Sequence, residues 1–233
     1  QTLPNSTHPS TAKLPVMVYI HGGSYTTGES NDYGGSYLVR ASESSLIVVT
    51  INYRLAQFGF LASRDLQSTT RDGSVGNFGI QDQRLALAWV KQYISGFGGD
   101  GDAVTIFGES AGGNSVINHI AAPASAGLFR AAIVESGAYD HGAGNISAAE
   151  KIYDTIKEKS KCDTISCLRA VPASTLLSFL PEETHWGPVV DGKALPRTPV
   201  SLISSGQHNK VPVIIGSNRD EGAFFTLYEK IPW

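Results

Sequence analysis

Ala103-Val-Thr-Ile-Phe107, Gly108-Glu-Ser-Ala-Gly112 and Gly113-Asn-Ser-Val-Ile-Asn-His-Ile-Ala121 follow one another without a break, and that order decides the fold. The β-branched and aromatic residues of 103–107 read as a strand, the glycine-flanked serine as a tight turn, and the apolar stretch to about Ala121 as a helix. A sharp strand-to-helix turn crowds its neighbouring backbone. Glycines on either side relieve that crowding and leave the Ser110 hydroxyl exposed at the carboxyl end of the strand. The bare G-x-S-x-G pattern is common; the strand before it and the helix after it give it meaning.

Outward from this turn, strands and helices alternate. Residues 1–15 are rich in Pro, Ser and Thr and read as a loop leading into a strand at 16–20, which His21-Gly22-Gly23 ends. Residues 46–52 form a second, nearly continuous apolar run of the kind that suits parallel strands buried on both faces. Between Gly79 and Gly96, Ile80, Leu87, Val90 and Ile94 share one helical face, and Gly96, Gly98 and Gly99 stop the helix. Downstream, a fourth strand is expected at 131–134, a solvated Lys- and Glu-rich helix at 148–159, a short helix at 175–180 and a fifth strand at 211–215. The alternation predicts an α/β architecture with a mostly parallel sheet. No internal repeat or low-complexity segment interrupts it.

Composition narrows the class. The 233 residues are 41% hydrophobic and 17% charged, as in folded globular proteins, and the formal net charge is −3. No electropositive face is advertised for nucleic acid or anionic lipid. No apolar stretch approaches the roughly 18 residues of a bilayer helix, so no membrane span is expected. Cys162 and Cys167 stand close enough for a small local disulfide and lack the second pair expected of a zinc site. Asn5-Ser6-Thr7 and Asn145-Ile146-Ser147 match the N-glycosylation pattern, and together with the cysteine pair they point to a secreted or extracellular protein.

A nucleophilic serine attacking a carbonyl needs donors for the oxyanion that forms, each worth about 10²–10³ in rate. His21-Gly22-Gly23-Ser24 follows a buried strand, as the H-G-G-G element of esterases does, and would aim the N–H groups of Gly23 and Ser24 at that oxygen. The N–H of Ala111 would be the third donor. Taken alone, the same residues also read as a glycine turn.

With these residues stand Asn52-Tyr-Arg-Leu-Ala-Gln-Phe-Gly-Phe60, Gly76-Asn-Phe-Gly-Ile-Gln-Asp-Gln-Arg84, Phe97-Gly-Gly-Asp100, Pro188-Val-Val-Asp-Gly192 and Asn218-Arg-Asp-Glu-Gly222. In this order, and across nearly the whole chain, they resemble the type-B carboxylesterase and lipase family, which includes cholinesterases and neuroligin-like adhesion proteins. The resemblance implies an α/β-hydrolase fold, a small-molecule ester as substrate, and no metal or organic cofactor. It makes Glu221 the triad acid, a residue that otherwise reads as a solvated loop glutamate. It implies a disulfide between Cys162 and Cys167 around an unusually short loop, and a buried structural ion pair between Arg54 and Asp82.

Two departures from the family pattern matter. Ser24 replaces the third glycine, keeping the N–H but placing a side chain at the mouth of the oxyanion hole. The chain order serine, acid, histidine requires a base after Glu221, and none of the six histidines follows it. His21 belongs to the oxyanion strand, and His119 lies nine residues beyond Ser110, roughly 13 Å along the helix. His8, His185 and His208 take no assigned place, leaving His141 as the one stand-in. Family members are more than twice this length, so residues 1–233 are expected to be an internal part of a single α/β-hydrolase domain that is inactive alone. The alternative is a catalytically silent adhesion or binding protein on the same scaffold. Retention of Ser110, Glu221 and Gly23-Ser24 favours the enzyme.

Overall fold

The computed structural model describes residues 13–137, 143–179 and 184–226. Its centre is a five-stranded sheet in which every pairing is parallel. The strands are β1 (Leu14–Ile20), β2 (Ile47–Ile51), β3 (Gly99–Glu109), β4 (Ala131–Glu135) and β7 (Val213–Gly216), in the order β2-β1-β3-β4-β7. Two-residue strands β5 (Gly144–Asn145) and β6 (Val189–Val190) pair separately. β1 and β3 lie inside the sheet, and their Val16, Val18, Ile20, Val104 and Ile106 are fully buried. Each such side chain contributes about 1.5–3 kcal/mol of apolar transfer energy.

Short helices α1 (Ser36–Ala41), α2 (Ala56–Phe60) and α3 (Arg64–Gln67) flank β2 in the chain. Helix α4 (Phe78–Tyr93) buries the expected stripe of Ile80, Leu87 and Val90, and Ile94 continues it into a 3₁₀ turn, Ile94–Phe97. Gly98, in the left-handed region at φ 83°, then ends the helix. Helix α5 (Ala111–Ala121) carries Val116 and Ile120 into the same core. At the head of α4, Asn77 has a φ of 62°, a conformation asparagine tolerates better than most residues. Its side-chain amide donates to the Val189 carbonyl at 2.9 Å and accepts from the Val189 N–H at 2.8 Å, imitating a strand partner for β6.

Element boundaries differ from the expected ones where backbone pairing overrides composition. β3 starts at Gly99 rather than at 103, because the end of the preceding turn already pairs with Leu14. β7 starts after Pro212, which has no N–H to give the ladder and offers only its carbonyl to Ala132 N, at 3.0 Å. Helix α6 (Ile146–Ser160) is not simply solvated. Ala149, Tyr153 and Ile156, spaced four and three apart, form a buried stripe, and the last two pack with Cys162 and Leu168. Leu168 belongs to α7 (Ile165–Ala170), which the Cys162–Cys167 disulfide ties to the end of α6, with Cα atoms 5.4 Å apart. Helix α8 (Ala173–Leu177) begins directly behind Pro172, and α9 (Pro199–Ser204) packs on α5 through the buried Leu202 beside Ala121.

The Arg54–Asp82 pair is bidentate, at 2.7 and 2.8 Å, and Asp82 also accepts the Arg54 N–H at 3.0 Å. The expectation of a buried pair is corrected. The Arg54 side chain is 53% exposed, because the guanidinium lies over the Phe78 ring with its other side open. It pins the loop after β2 to α4 and contributes about 0.2–1 kcal/mol, as exposed pairs do. Among the described residues, no helix is long and apolar enough to cross a membrane. Val213, Ile214 and Ile215 of β7 are 44%, 66% and 56% exposed, so this edge strand presents bare apolar faces.

Candidate active site

Ser110 is the single residue between β3 and α5, with φ 56° and ψ −121°. A non-glycine residue held there costs about 1–3 kcal/mol and needs surroundings that enforce it. The enforcement is visible in the contacts. Ser110 N donates to the Glu135 carbonyl at 2.9 Å, and Asn114 N closes the first turn of α5 on the Ser110 carbonyl at 2.9 Å. A side chain at Gly112 would meet the Ile20 carbonyl at 2.0 Å, so only glycine lets α5 start so close to β1.

The Gly22–Ser24 segment meets Ser110 directly. A Cβ on Gly22 would lie 2.7 Å from the Glu109 carbonyl and 3.2 Å from Ser110 Cβ. Beyond it, Gly23, Ser24 and Tyr25 have successive positive φ values of 100°, 54° and 59°. The Gly23 carbonyl turns away to accept the N–H groups of Thr26 and Thr27 at 2.9 and 3.0 Å. Among the described residues the N–H groups of Gly23 and Ser24 donate to no backbone carbonyl. Ala111 opens α5, where a helix leaves its first N–H groups without intrahelical partners. The Ser24 side chain is exposed, and its left-handed backbone would suit glycine better.

Register brings Glu221 to the same edge. Glu109 pairs with Glu135, and Glu135 with Gly216, so β3, β4 and β7 end level. Ser110, Ser136 and Ser217 are each one residue beyond, and Glu221 opens helix α10 (Glu221–Thr226) shortly afterwards. Two strand spacings, about 10 Å, separate β3 from β7. An imidazole with a hydrogen bond at each end spans a gap of that order. Glu221 Oε1 accepts the Ser136 hydroxyl and, at 2.7 Å, the Asn218 N–H. In that order, these two bonds hold its pKa below the ordinary carboxylate value. Glu109 moves the other way: loss of hydration raises its pKa, and the charges of Glu221 and Glu135 add to this. A rim with three carboxylates suits a cation, either an imidazolium or a cationic substrate.

Among the described residues, no histidine hydrogen-bonds to Ser110 or Glu221. His21 is buried; its Nδ1 donates to the Gly22 carbonyl at 2.9 Å, and its ring stacks on Tyr53 at 4.4 Å. His185 lines a small cavity beside Trp186 and Asn145, and His208 lies before β7. His8, His141 and Asn5 lie outside the described residues. His119 is fully buried, its ring nitrogens on Ser125 Oγ at 2.9 Å and Gln83 Oε1 at 3.0 Å. Burial first, and the Arg84 charge second, push its pKa from 6.5 down to about 3. The unfolded chain takes up a proton here below pH 6.5 and the folded chain only near 3, so stability falls as pH falls through that window. We expect this one group to cost about 1.4 kcal/mol per pH unit. Urea denaturation of the intact protein between pH 6.5 and 4.5 should show a shallower pH slope in His119→Gln; equal slopes would remove His119 as the cause.

Sequence reasoning misses Ser136. The available signal is a serine directly after a strand end, as at Ser110, but only the register of β4 between β3 and β7 gives that position a role.

The carboxylesterase family model matches residues 2–231. The chain is 42% identical over 224 residues to the pyrethroid hydrolase Ces2e of Rattus norvegicus, an alignment covering 94% of this chain and 38% of that protein. It is also 42% identical over 224 residues to the para-nitrobenzyl esterase of Bacillus subtilis, covering 91% of this chain and 45% of the relative. The solved carboxylesterase EST55 of Geobacillus stearothermophilus superposes with a TM-score of 0.85 at 38% identity, over 93% of this chain and 46% of that one. The chain thus spans less than half the length of each of these proteins.

Proposed function

This chain belongs to the carboxylesterase family, and from that premise we propose that the intact protein is a serine carboxylic-ester hydrolase acting through an acyl-enzyme on Ser110. The observation that carries the reading is the strained Ser110 turn with the Gly22–Ser24 segment packed against it and Glu221 level with it across the sheet edge. In this mechanism the Ser110 hydroxyl attacks the ester carbonyl, and the N–H groups of Gly23, Ser24 and Ala111 receive the oxyanion. Glu221 orients the imidazole that takes the serine proton, and water later releases the acid. We place that imidazole in a part of the protein outside residues 1–233, consistent with relatives more than twice as long. Residues 1–233 alone would then hydrolyse esters poorly.

The names of the two relatives, a pyrethroid hydrolase and a para-nitrobenzyl esterase, differ in substrate, so the ester class is what we carry over. Secretion and glycosylation belong to the same proposal. Asn145 is exposed and caps α6 through its Oδ1, which accepts Ala148 N at 2.9 Å, and among the described residues its Nδ2, the atom a glycan would take, makes no hydrogen bond. The direct test of the reading is hydrolysis of a short-chain p-nitrophenyl ester by the intact protein, with Ser110→Ala as the control. Ser24 adds a finer expectation. Ser24→Gly should raise kcat/KM for esters with bulky acyl or alcohol groups by about tenfold, the scale of a small steric change in a pocket. Unchanged turnover of every bulky ester would show that Ser24 does not guard the mouth.

A further inference from the structure

We propose that Ser115 is a positioning residue that locks the two halves of the oxyanion hole together through one buried hydroxyl. The proposal rests on the ester-hydrolase reading above. Ser115 lies one turn into α5 and is fully buried. Its Oγ contacts the Ala111 carbonyl at 2.9 Å, Gln83 Nε2 at 3.0 Å and the Tyr25 hydroxyl at 3.3 Å. A serine hydroxyl has one hydrogen and two lone pairs. The carbonyl of Ala111 accepts that hydrogen, so the Gln83 amide and the Tyr25 phenol donate to the two lone pairs.

The amide is held in that sense from behind. Gln83 Oε1 accepts from His119 Nε2 at 3.0 Å, and His119 Nδ1 accepts the Ser125 hydroxyl at 2.9 Å. Every member of this chain of bonds, from Tyr25 to Ser125, is at most 4% exposed. It is a buried network with one consistent direction of donation.

Its two functional ends are the two oxyanion elements. Ala111 supplies one N–H donor, and Tyr25 immediately follows Ser24, which supplies another. The Gly23–Tyr25 segment consists of three successive positive-φ residues, a conformation with little intrinsic preference. The Tyr25 carbonyl accepts the Ala56 N–H at 2.7 Å and its ring packs on Phe60, while the phenol is the anchor that ties the segment to α5. Releasing that anchor lets the Gly23 and Ser24 N–H groups drift relative to Ala111. Donors aimed at the transition-state oxygen lose most when they move, while ground-state binding of the ester is little affected.

The test uses the intact protein with Tyr25→Phe, Ser115→Ala and the double variant. Tyr25→Phe removes the phenol hydrogen and leaves Ser115 bonded to Gln83 and Ala111, so it carries the test if Ser115→Ala does not fold. We expect kcat to fall about 10–100-fold, the scale of a misplaced catalytic group, with KM within about threefold of wild type. Affinity for a trifluoromethyl ketone, which forms the oxyanion, should weaken by the same factor as kcat/KM. The double variant should be no worse than Ser115→Ala. The proposal is overturned if a folded Tyr25→Phe keeps kcat within about twofold, or if KM rises while ketone affinity tracks substrate affinity. Wild-type protein that neither hydrolyses esters nor binds the ketone would instead sink the hydrolase reading, and the positioning role with it.

Discussion

Ser110→Ala in the intact protein should lower kcat for a short-chain ester by about 10⁶-fold, because removing the nucleophile of a triad costs nearly as much as removing the whole triad. What survives should be about 10³-fold over water, supplied by the oxyanion donors and substrate binding. The structure makes this a clean experiment. Ser110 owes its φ of 56° to the Gly112 approach to β1 and to its N–H bond to Glu135, neither of which uses the hydroxyl. Alanine meets the same backbone demand at similar cost, so the thermal midpoint should stay within a few degrees. Steady-state kinetics with active-site titration decide the matter. A variant retaining more than a tenth of wild-type kcat would mean that the nucleophile lies elsewhere.

The parts of this site legible in sequence are those where chemistry restricts residue type over a short stretch. A serine that must stand at a strained turn needs small neighbours, so Gly108, Gly112 and Gly113 announce it. The stripe of Ile80, Leu87, Val90 and Ile94 announces α4 in the same way, since one buried face leaves a 3.6-residue period. What stays hidden depends on register between distant segments. Ser136 is one hydroxyl among many until β4 is seated between β3 and β7. Tyr25 and Ser115 are ninety positions apart in sequence and meet through a single oxygen. Arg54 and Asp82 pair as expected, but their exposure follows from where α4 meets the surface, which composition does not encode. The buried face of α6 is obscured by the Lys and Glu residues that surround Ala149, Tyr153 and Ile156.

Glu221→Gln should be the second most damaging change, lowering kcat by about 10⁴-fold with KM little altered. That is the cost when an amide replaces the acid of a triad and the histidine it orients adopts the wrong tautomer. The effect should not come from unfolding. The substituted amide keeps an oxygen to accept the Ser136 hydroxyl and the Asn218 N–H, and what it loses is the charge. Those two bonds hold the wild-type pKa below the ordinary carboxylate value. Glu221 therefore stays ionised well into the acid range, and the acid limb of kcat/KM should report the histidine. The variant separates Glu221 from its neighbour Glu109, whose pKa shifts upward and which also faces the site. If Glu109 were the working acid, Glu109→Gln would carry the loss of about 10⁴-fold and Glu221→Gln would keep most of its activity. The stronger acid is the better partner for an imidazolium that must persist through the attack. The two fixed donors on Glu221 keep its carboxylate oriented before substrate arrives, whereas Glu109 is shaped mainly by lost hydration and by the like charges beside it.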